Sequence, residues 1–334
     1  MDVAAHRPVQ LTYFTELDAQ ALADLFRDPV LCERLRAQSA RVSLGVLDLS
    51  AERASAVRCL NRAGIPVIAW QLLPREQGYW YHLCNAPEAA ARYGEFLAWT
   101  GREGLEWAGI GVDIEPDIGE FHLMLTHRIR FIKVLLKRGF SKQRLCAGRD
   151  AYAALVYRMR EDGYPVYSYE IPFMEDERRA GSTLLQRILG ITDLPAEQRV
   201  LMLYTSFFRP IGPAVLWHYA RGAQSVAVGL TGGGVEMEGL ATHEPLGWNE
   251  LARDLLLARR WCSDIHIFSL EGCVDQGFLE RIEGFDWEAP VRPPPGWTQL
   301  AAPLRPLLRT ALWLSARPLL LFAALLGVLA AIAI

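Results

Sequence analysis

A chain of 334 residues, 51% hydrophobic and 22% charged, has a globular composition and the length for one α/β-barrel domain or two smaller ones. Its formal net charge of −3 and the lack of a basic stripe interleaved with aromatics exclude a general polyanion binder, so nucleic acid is not an expected partner. The six cysteines form no C-x-x-C and the seven histidines no H-E-x-x-H, so neither a metal nor a cofactor is expected, and the thiols read as free, buried groups of a reducing compartment.

Along the chain, apolar β-branched runs alternate with helical periodicity, the pattern of a parallel α/β fold. Strands are expected at Gln10–Phe14, Val42–Leu47, Pro66–Gln71, Gly109–Glu115, Arg144–Arg149, Pro165–Glu170, Val200–Thr205, Ser225–Leu230 and Asp264–Leu270. Between them, Ala86–Gly104 is the clearest helix, with Asn85 as N-cap, Glu88 at N3, and Tyr93, Phe96, Leu97 and Leu105 on one face. Trp248–Trp261 is a second, striped by Leu251, Leu255 and Leu256. A (β/α)8 TIM barrel needs eight strands, one fewer than these candidates, so Arg144–Arg149 or Pro165–Glu170 is expected to lie outside it or to be misread. No G-x-G-x-x-G follows an early strand, which weighs against a doubly wound sheet.

The barrel is assigned to residues 1–289, a Pro-rich linker to 290–300, and a basic, amphipathic segment with a C-terminal hydrophobic helix to 301–334. Leu319–Ile334 carries no charged or strongly polar side chain. With Pro318 it spans about 25 Å as a helix, close to a bilayer core of roughly 30 Å. Arg305, Arg309, Trp313 and Arg317 precede it, as interface residues do. The N-terminus has no basic n-region. The expectation is therefore a single-pass membrane protein anchored in the lipid bilayer, its body in the cytosol.

The run Ile110-Gly111-Val112-Asp113-Ile114-Glu115-Pro116 ends a buried strand in two carboxylates spaced i, i+2. Residues so spaced project to the same side of a strand, and paired carboxylates split glycosidic bonds. Other polar residues fall at strand ends, where a barrel builds its site: Glu16, Gln71, Arg149, Asp150, Tyr169, Glu170, Tyr204, Thr205 and Glu271. The loop Pro74–Tyr81 adds Tyr79 and Trp80, aromatics suited to stacking on sugar rings. Thr231-Gly232-Gly233-Gly234 reads as a tight turn that lets backbone approach substrate.

Ala108-Gly109-Ile110-Gly111-Val112-Asp113-Ile114-Glu115 resembles the fourth-strand signature D-G-x-D-x-D-x-E of family 18 glycoside hydrolases, the chitinase-like barrels. Tyr167-Ser168-Tyr169-Glu170, or alternatively Met202-Leu203-Tyr204-Thr205, is similar to their M-x-Y-D, and Ile267–Glu271 to their W-S-L-D. The resemblance runs over roughly residues 10–285 and implies that Glu115 is the general acid and Asp113 the residue that steers an acetamido group. Ala108 and Gly111 stand where the family has its two earlier acids, Ala69-Trp70-Gln71-Leu72 replaces S-x-G-G, and Phe268 replaces the floor tryptophan.

The competing route within this class is ordinary two-carboxylate catalysis, pairing Glu115 with Glu271 or Glu170. The substrate in either case is an oligosaccharide or glycan, with Gln71, Tyr79, Trp80, Arg149, Tyr169 and Tyr204 as its binding residues. A barrel that binds glycans or a membrane partner without cleaving them is the alternative class. A metal-dependent hydrolase using Asp113, Glu115 and His122 is a third reading.

Overall fold

The computed structural model describes residues 7–117, 142–233 and 244–317. Eight parallel strands close in sequence order into a barrel: β1 (Gln10–Thr15), β2 (Arg41–Val46), β3 (Val67–Gln71), β4 (Gly109–Ile114), β5 (Val166–Glu170), β6 (Gln198–Met202), β7 (Ser225–Gly229) and β8 (Asp264–Phe268). The described helices α1–α5 span Ala19–Leu25, Pro29–Ala37, Ala51–Arg62, Ala86–Glu103 and Lys142–Glu161. Helices α6–α10 span Phe173–Ala180, Leu184–Leu189, Gly212–Ala220, Trp248–Arg259 and Leu270–Asp275, and α11–α13 span Phe278–Glu283, Pro295–Ala301 and Leu304–Ser315.

The expected TIM barrel is present, and the surplus strand is Arg144–Arg149, which lies in α5. Its buried residues Leu145, Gly148, Tyr152, Leu155, Val156 and Met159 recur at helical spacing, and that longer stripe overrides the short apolar run read as a strand. Pro165–Glu170 supplies β5.

Alternation along the strands divides the core in two. Phe14, Ile68, Trp70, Tyr167, Tyr169, Val200, Met202, Ala227 and Phe268 cluster inside the barrel, while Val46, Ala69, Val112 and Ile267 belong to the layer beneath the helices. Two glycines shape the interior. A Cβ on Gly109 would lie 2.7 Å from the Tyr167 ring, and one on Gly111 would lie 2.5 Å from the Tyr169 hydroxyl. The tyrosines of β5 therefore fill the room that β4 leaves. The Tyr169 and Ser43 hydroxyls share a hydrogen bond at 2.6 Å, and Phe14 meets Tyr169 edge-on at 4.8 Å and Trp70 at 5.3 Å. At the opposite end of the barrel, Arg41 bonds Thr12 at 2.9 Å and pairs with Asp264, which also accepts from Ser225 at 2.7 Å.

The C-terminal helices pack on the helical layer. Helix α12 lies on α8 and α13 on α6. Arg305 and Arg309, expected at the headgroup boundary, instead reach the fully buried Asp176 of α6, their Nε atoms 3.0 and 2.6 Å from its Oδ1. Burying a carboxylate requires such partners, and they draw both arginines inward. Leu319–Ile334 lies outside the described residues, and among the described residues no helix is long and apolar enough to cross a membrane.

Gly111→Ala is expected to cost about 1–3 kcal/mol through overpacking against Tyr169. Thermal melts of Gly111→Ala, Tyr169→Leu and the double variant check this: the glycine substitution should cost less once Tyr169 is gone, and equal cost in both backgrounds would contradict the packing.

Candidate active site

At the C-terminal end of β4, Asp113 turns into the barrel and is 3% exposed. Ile114 turns outward into the other core layer, and Glu115, in step with Asp113, leaves the strand half-buried. The loop after β3 is fastened directly to this end. The Tyr81 N–H donates to the Asp113 carbonyl at 3.0 Å, and the Glu115 N–H donates to the Tyr81 carbonyl at 3.2 Å. Asn85 holds the same loop, its amide donating to the carbonyls of Gln77 at 2.9 Å and Trp80 at 2.8 Å while its oxygen accepts from the His82 N–H at 2.8 Å. Its side chain therefore caps no helix, although α4 starts at the next residue as expected. So anchored, the loop accepts a left-handed φ of +62° at Tyr79, a cost that surrounding structure must offset.

Tyr79 and Trp80 pack with the barrel interior, edge to face at 5.5 Å. The Tyr79 hydroxyl donates to Glu16 Oε1 at 2.6 Å and fixes where that carboxylate faces. The Glu16 N–H in turn donates to Glu271 Oε1 at 3.3 Å. Glu271 sits in the first turn of α10, which Ser269 caps through the Gly272 N–H at 3.1 Å. A Cβ on Gly233 would fall 2.5 Å from Glu271 Oε1, so the glycine turn after β7 lies against this carboxylate. Gly234 is outside the described residues.

Glu16, Asp113 and Glu115 share one electrostatic field. Burial, then Glu115, then Glu16 push the Asp113 carboxyl well above its ordinary range. The Trp70 indole N–H opposes this, although it makes no hydrogen bond of ordinary geometry. Burial raises Glu115 to about 7. Tyr204, just past β6, is pushed up by burial and then by Asp113, Glu115 and Glu16, which places its phenol in the same mouth. Burial and mutual repulsion both favour the protonated forms of Asp113 and Glu115, and a carboxyl shifted in that direction is suited to giving a proton to a bound oxygen.

The sequence-derived candidates divide accordingly. Asp113, Glu115, Tyr79, Trp80 and Tyr204 meet at the mouth, and Tyr169 lies beneath them, its ring over Gly111. Glu271 supports Glu16 from behind. Glu170 is not brought in. Adjacent to the inward Tyr169, it points outward, 2.7 Å from Arg178 and 3.0 Å from Ser168 Oγ. Gln71 alternates with the inward Trp70 and lies buried on the outer side of β3. Arg149 is exposed on α5, and His122 is outside the described residues. Among the described residues no group of three or more His, Cys, Asp or Glu is placed to hold a metal ion. Trp70 is the site residue that the strand ends do not reveal, and Glu16, noted among the strand-end polar residues, gains a defined partner in Tyr79. A separate groove of about 830 Å³, lined by Trp217, Arg260 and Trp287, lies on the helical layer and includes none of these residues.

No protein-family model matches this sequence, and no curated protein matches it. Among solved structures, the chain is similar to a GH18 chitinase from Pseudoalteromonas aurantia, with 12% identity, 81% of this chain and 98% of that chain covered, and a TM-score of 0.47. It is also similar to the PgaB (BpsB) glycoside hydrolase domain from Bordetella bronchiseptica, with 8% identity, 83% and 97% covered, and a TM-score of 0.48. A D-allulose 3-epimerase from Methylomonas sp. shows 11% identity, 90% and 98% covered, and a TM-score of 0.42. At such identities the chemistry has to come from this chain's own side chains.

Both acids of β4 bind protons more readily folded than unfolded, so ionising them as pH rises from about 4 through 7 costs stability. Asp113→Asn is expected to retain more of its Tm between pH 5 and 8 than the unsubstituted chain does, by a few degrees. Parallel calorimetric melts check this, and identical pH dependence would contradict it.

Proposed function

We propose that this barrel hydrolyses a glycosidic bond, with Glu115 as the general acid. The observation that carries the reading is the placement of Glu115 just past the end of β4, in step with the buried Asp113 at an aromatic-lined barrel mouth, where burial pushes its carboxyl up. A carboxyl of that kind is protonated often enough at neutral pH to give its proton to a leaving oxygen.

In the proposed step the bond from the anomeric carbon to the bridging oxygen breaks, and that oxygen takes the Glu115 proton. Water adds to the anomeric carbon, and its proton goes to Glu16, oriented by Tyr79. Asp113 lies beneath Glu115 and keeps the shared proton within the pair. Tyr204, half-buried at the mouth, offers a ring and a hydroxyl to a sugar, while the buried Tyr79 and Trp80 shape the wall beside it. This is the two-carboxylate route with Glu16 in the place first given to Glu271 or Glu170. An acetamido-steering role for Asp113 has less support, because Tyr169 fills the position beside Gly111 where an acid ladder would continue.

The chain is placed at a membrane by the same proposal, with Leu319–Ile334 as the bilayer segment and the barrel on the cytosolic side. The apolar composition of that segment supports the first part, and the free thiols of all six cysteines fit a reducing compartment.

Glu115→Gln keeps the shape of the side chain and removes the acid. Hydrolysis of natural glycans or chromogenic glycosides is expected to fall roughly 10²–10⁴-fold with little change in KM. Full activity in the variant would exclude Glu115 as the acid. A bound oligosaccharide left intact by both forms at equal affinity would identify a binding module instead. The unsubstituted enzyme should also lose kcat as pH rises through about 7, the value burial gives Glu115, because the acid must be protonated; a rate flat to pH 9 would contradict the assignment.

A further inference from the structure

Helices α12 and α13 present an outer face without charge. From Pro293 to Ala316 the only charged residues are Arg305 and Arg309, and both are turned inward onto Asp176. Arg305 also lies over the Tyr219 ring at 4.0 Å. What remains outside is mainly apolar, with Gln299 and Thr310 the exposed polar residues: Leu300 is 66% exposed, Leu307 64%, Leu304 53%, and Trp297 and Trp313 40% each. Isolated exposed apolar side chains are ordinary, but five large ones on two consecutive short helices mark a surface that something covers.

We infer that this face lies in the headgroup–acyl boundary of a lipid bilayer. This deepens the proposed membrane placement and rests on it, but it concerns a different part of the chain. Three observations favour a bilayer over another occupant. First, the face runs directly into Pro318–Ile334, which contains no polar side chain. That stretch could cover the face only by turning its own apolar side to water, whereas a bilayer covers both. Second, tryptophans stand near both ends of the face, and Trp is the residue enriched at the membrane interface. Third, no Asp or Glu follows Glu288, so the fixed charges beyond it are Arg292, Arg305, Arg309 and Arg317. With Arg305 and Arg309 turned onto Asp176, Arg292 and Arg317 are the cations at the two ends of the face, an arrangement that suits an anionic lipid surface. Arg317 lies over the Trp313 ring at 4.2 Å and donates to the Trp313 carbonyl at 3.1 Å, at the edge where the exposed face meets the apolar stretch. The barrel would then be held against the membrane at α6 and α8, the helices that carry α12 and α13, rather than hanging from a single tether.

The test uses the full chain with phosphatidylcholine–phosphatidylglycerol vesicles, with and without brominated acyl chains, and reads flotation and tryptophan emission together. The chain should float with the vesicles, and bromination should lower its emission. Most of that loss should vanish in Trp297→Phe/Trp313→Phe, which keeps the face apolar and leaves the other eight tryptophans in place. A chain that floats, with no bromine quenching or with quenching unchanged in the double variant, overturns the face while the tail anchor stands. A chain that does not float overturns both. A floating chain without quenching whose α12–α13 face instead cross-links between copies assigns the face to a second copy and also overturns the proposal.

Discussion

The site depends on an exchange of volume between neighbouring strands. Gly109 and Gly111 on β4 give up their side chains, and Tyr167 and Tyr169 on β5 occupy the space. With Phe14, Trp70 and Phe268 they make a closely packed aromatic floor under the mouth. Desolvation is the first cause of the raised Asp113 and Glu115 carboxyls, and this floor supplies much of it. Glycine on β4 and tyrosine on β5 thus leave no further acid below Asp113 on that strand, and the packing they allow favours the protonated forms of Asp113 and Glu115.

On that floor the rest of the site is assembled by backbone pairing. The Tyr81 bridge to the end of β4 sets the loop after β3 against the acids, and the loop delivers Tyr79 to Glu16. Glu271 then fixes the chain that carries Glu16. Four strand-end segments are thereby tied into one mouth: those after β1, β3, β4 and β8. Catalytic geometry held by secondary structure and by hydrogen bonds behind the acids needs little reorganisation when substrate arrives.

Much of this was legible in the sequence, because period-two and period-3.6 patterns report directly on burial. The eight true strands, α4 and α9 follow from them. Glu170 and Gln71 were open to the same logic. Each is adjacent to a residue that faces the barrel axis, Tyr169 and Trp70, so alternation alone turns it outward. Arg144–Arg149 misleads because six residues are too few to separate a strand from one side of a long helix. Asn85 sits where a cap belongs, but it bonds a preceding loop that no local pattern reveals. The Glu16–Tyr79 hydrogen bond joins residues 63 positions apart and becomes visible only when the barrel closes. The inward turn of Arg305 and Arg309 was hidden for the same reason, since Asp176 lies 129 residues before Arg305.

The claim on which the chemistry rests is that the dry floor holds a proton on the β4 acid pair at neutral pH. A carbon-13 titration of the side-chain carboxyls measures this directly. A carboxyl titrating at about 7, absent from Glu115→Gln, is the predicted result; every Asp and Glu carboxyl titrating below pH 5 would contradict the account.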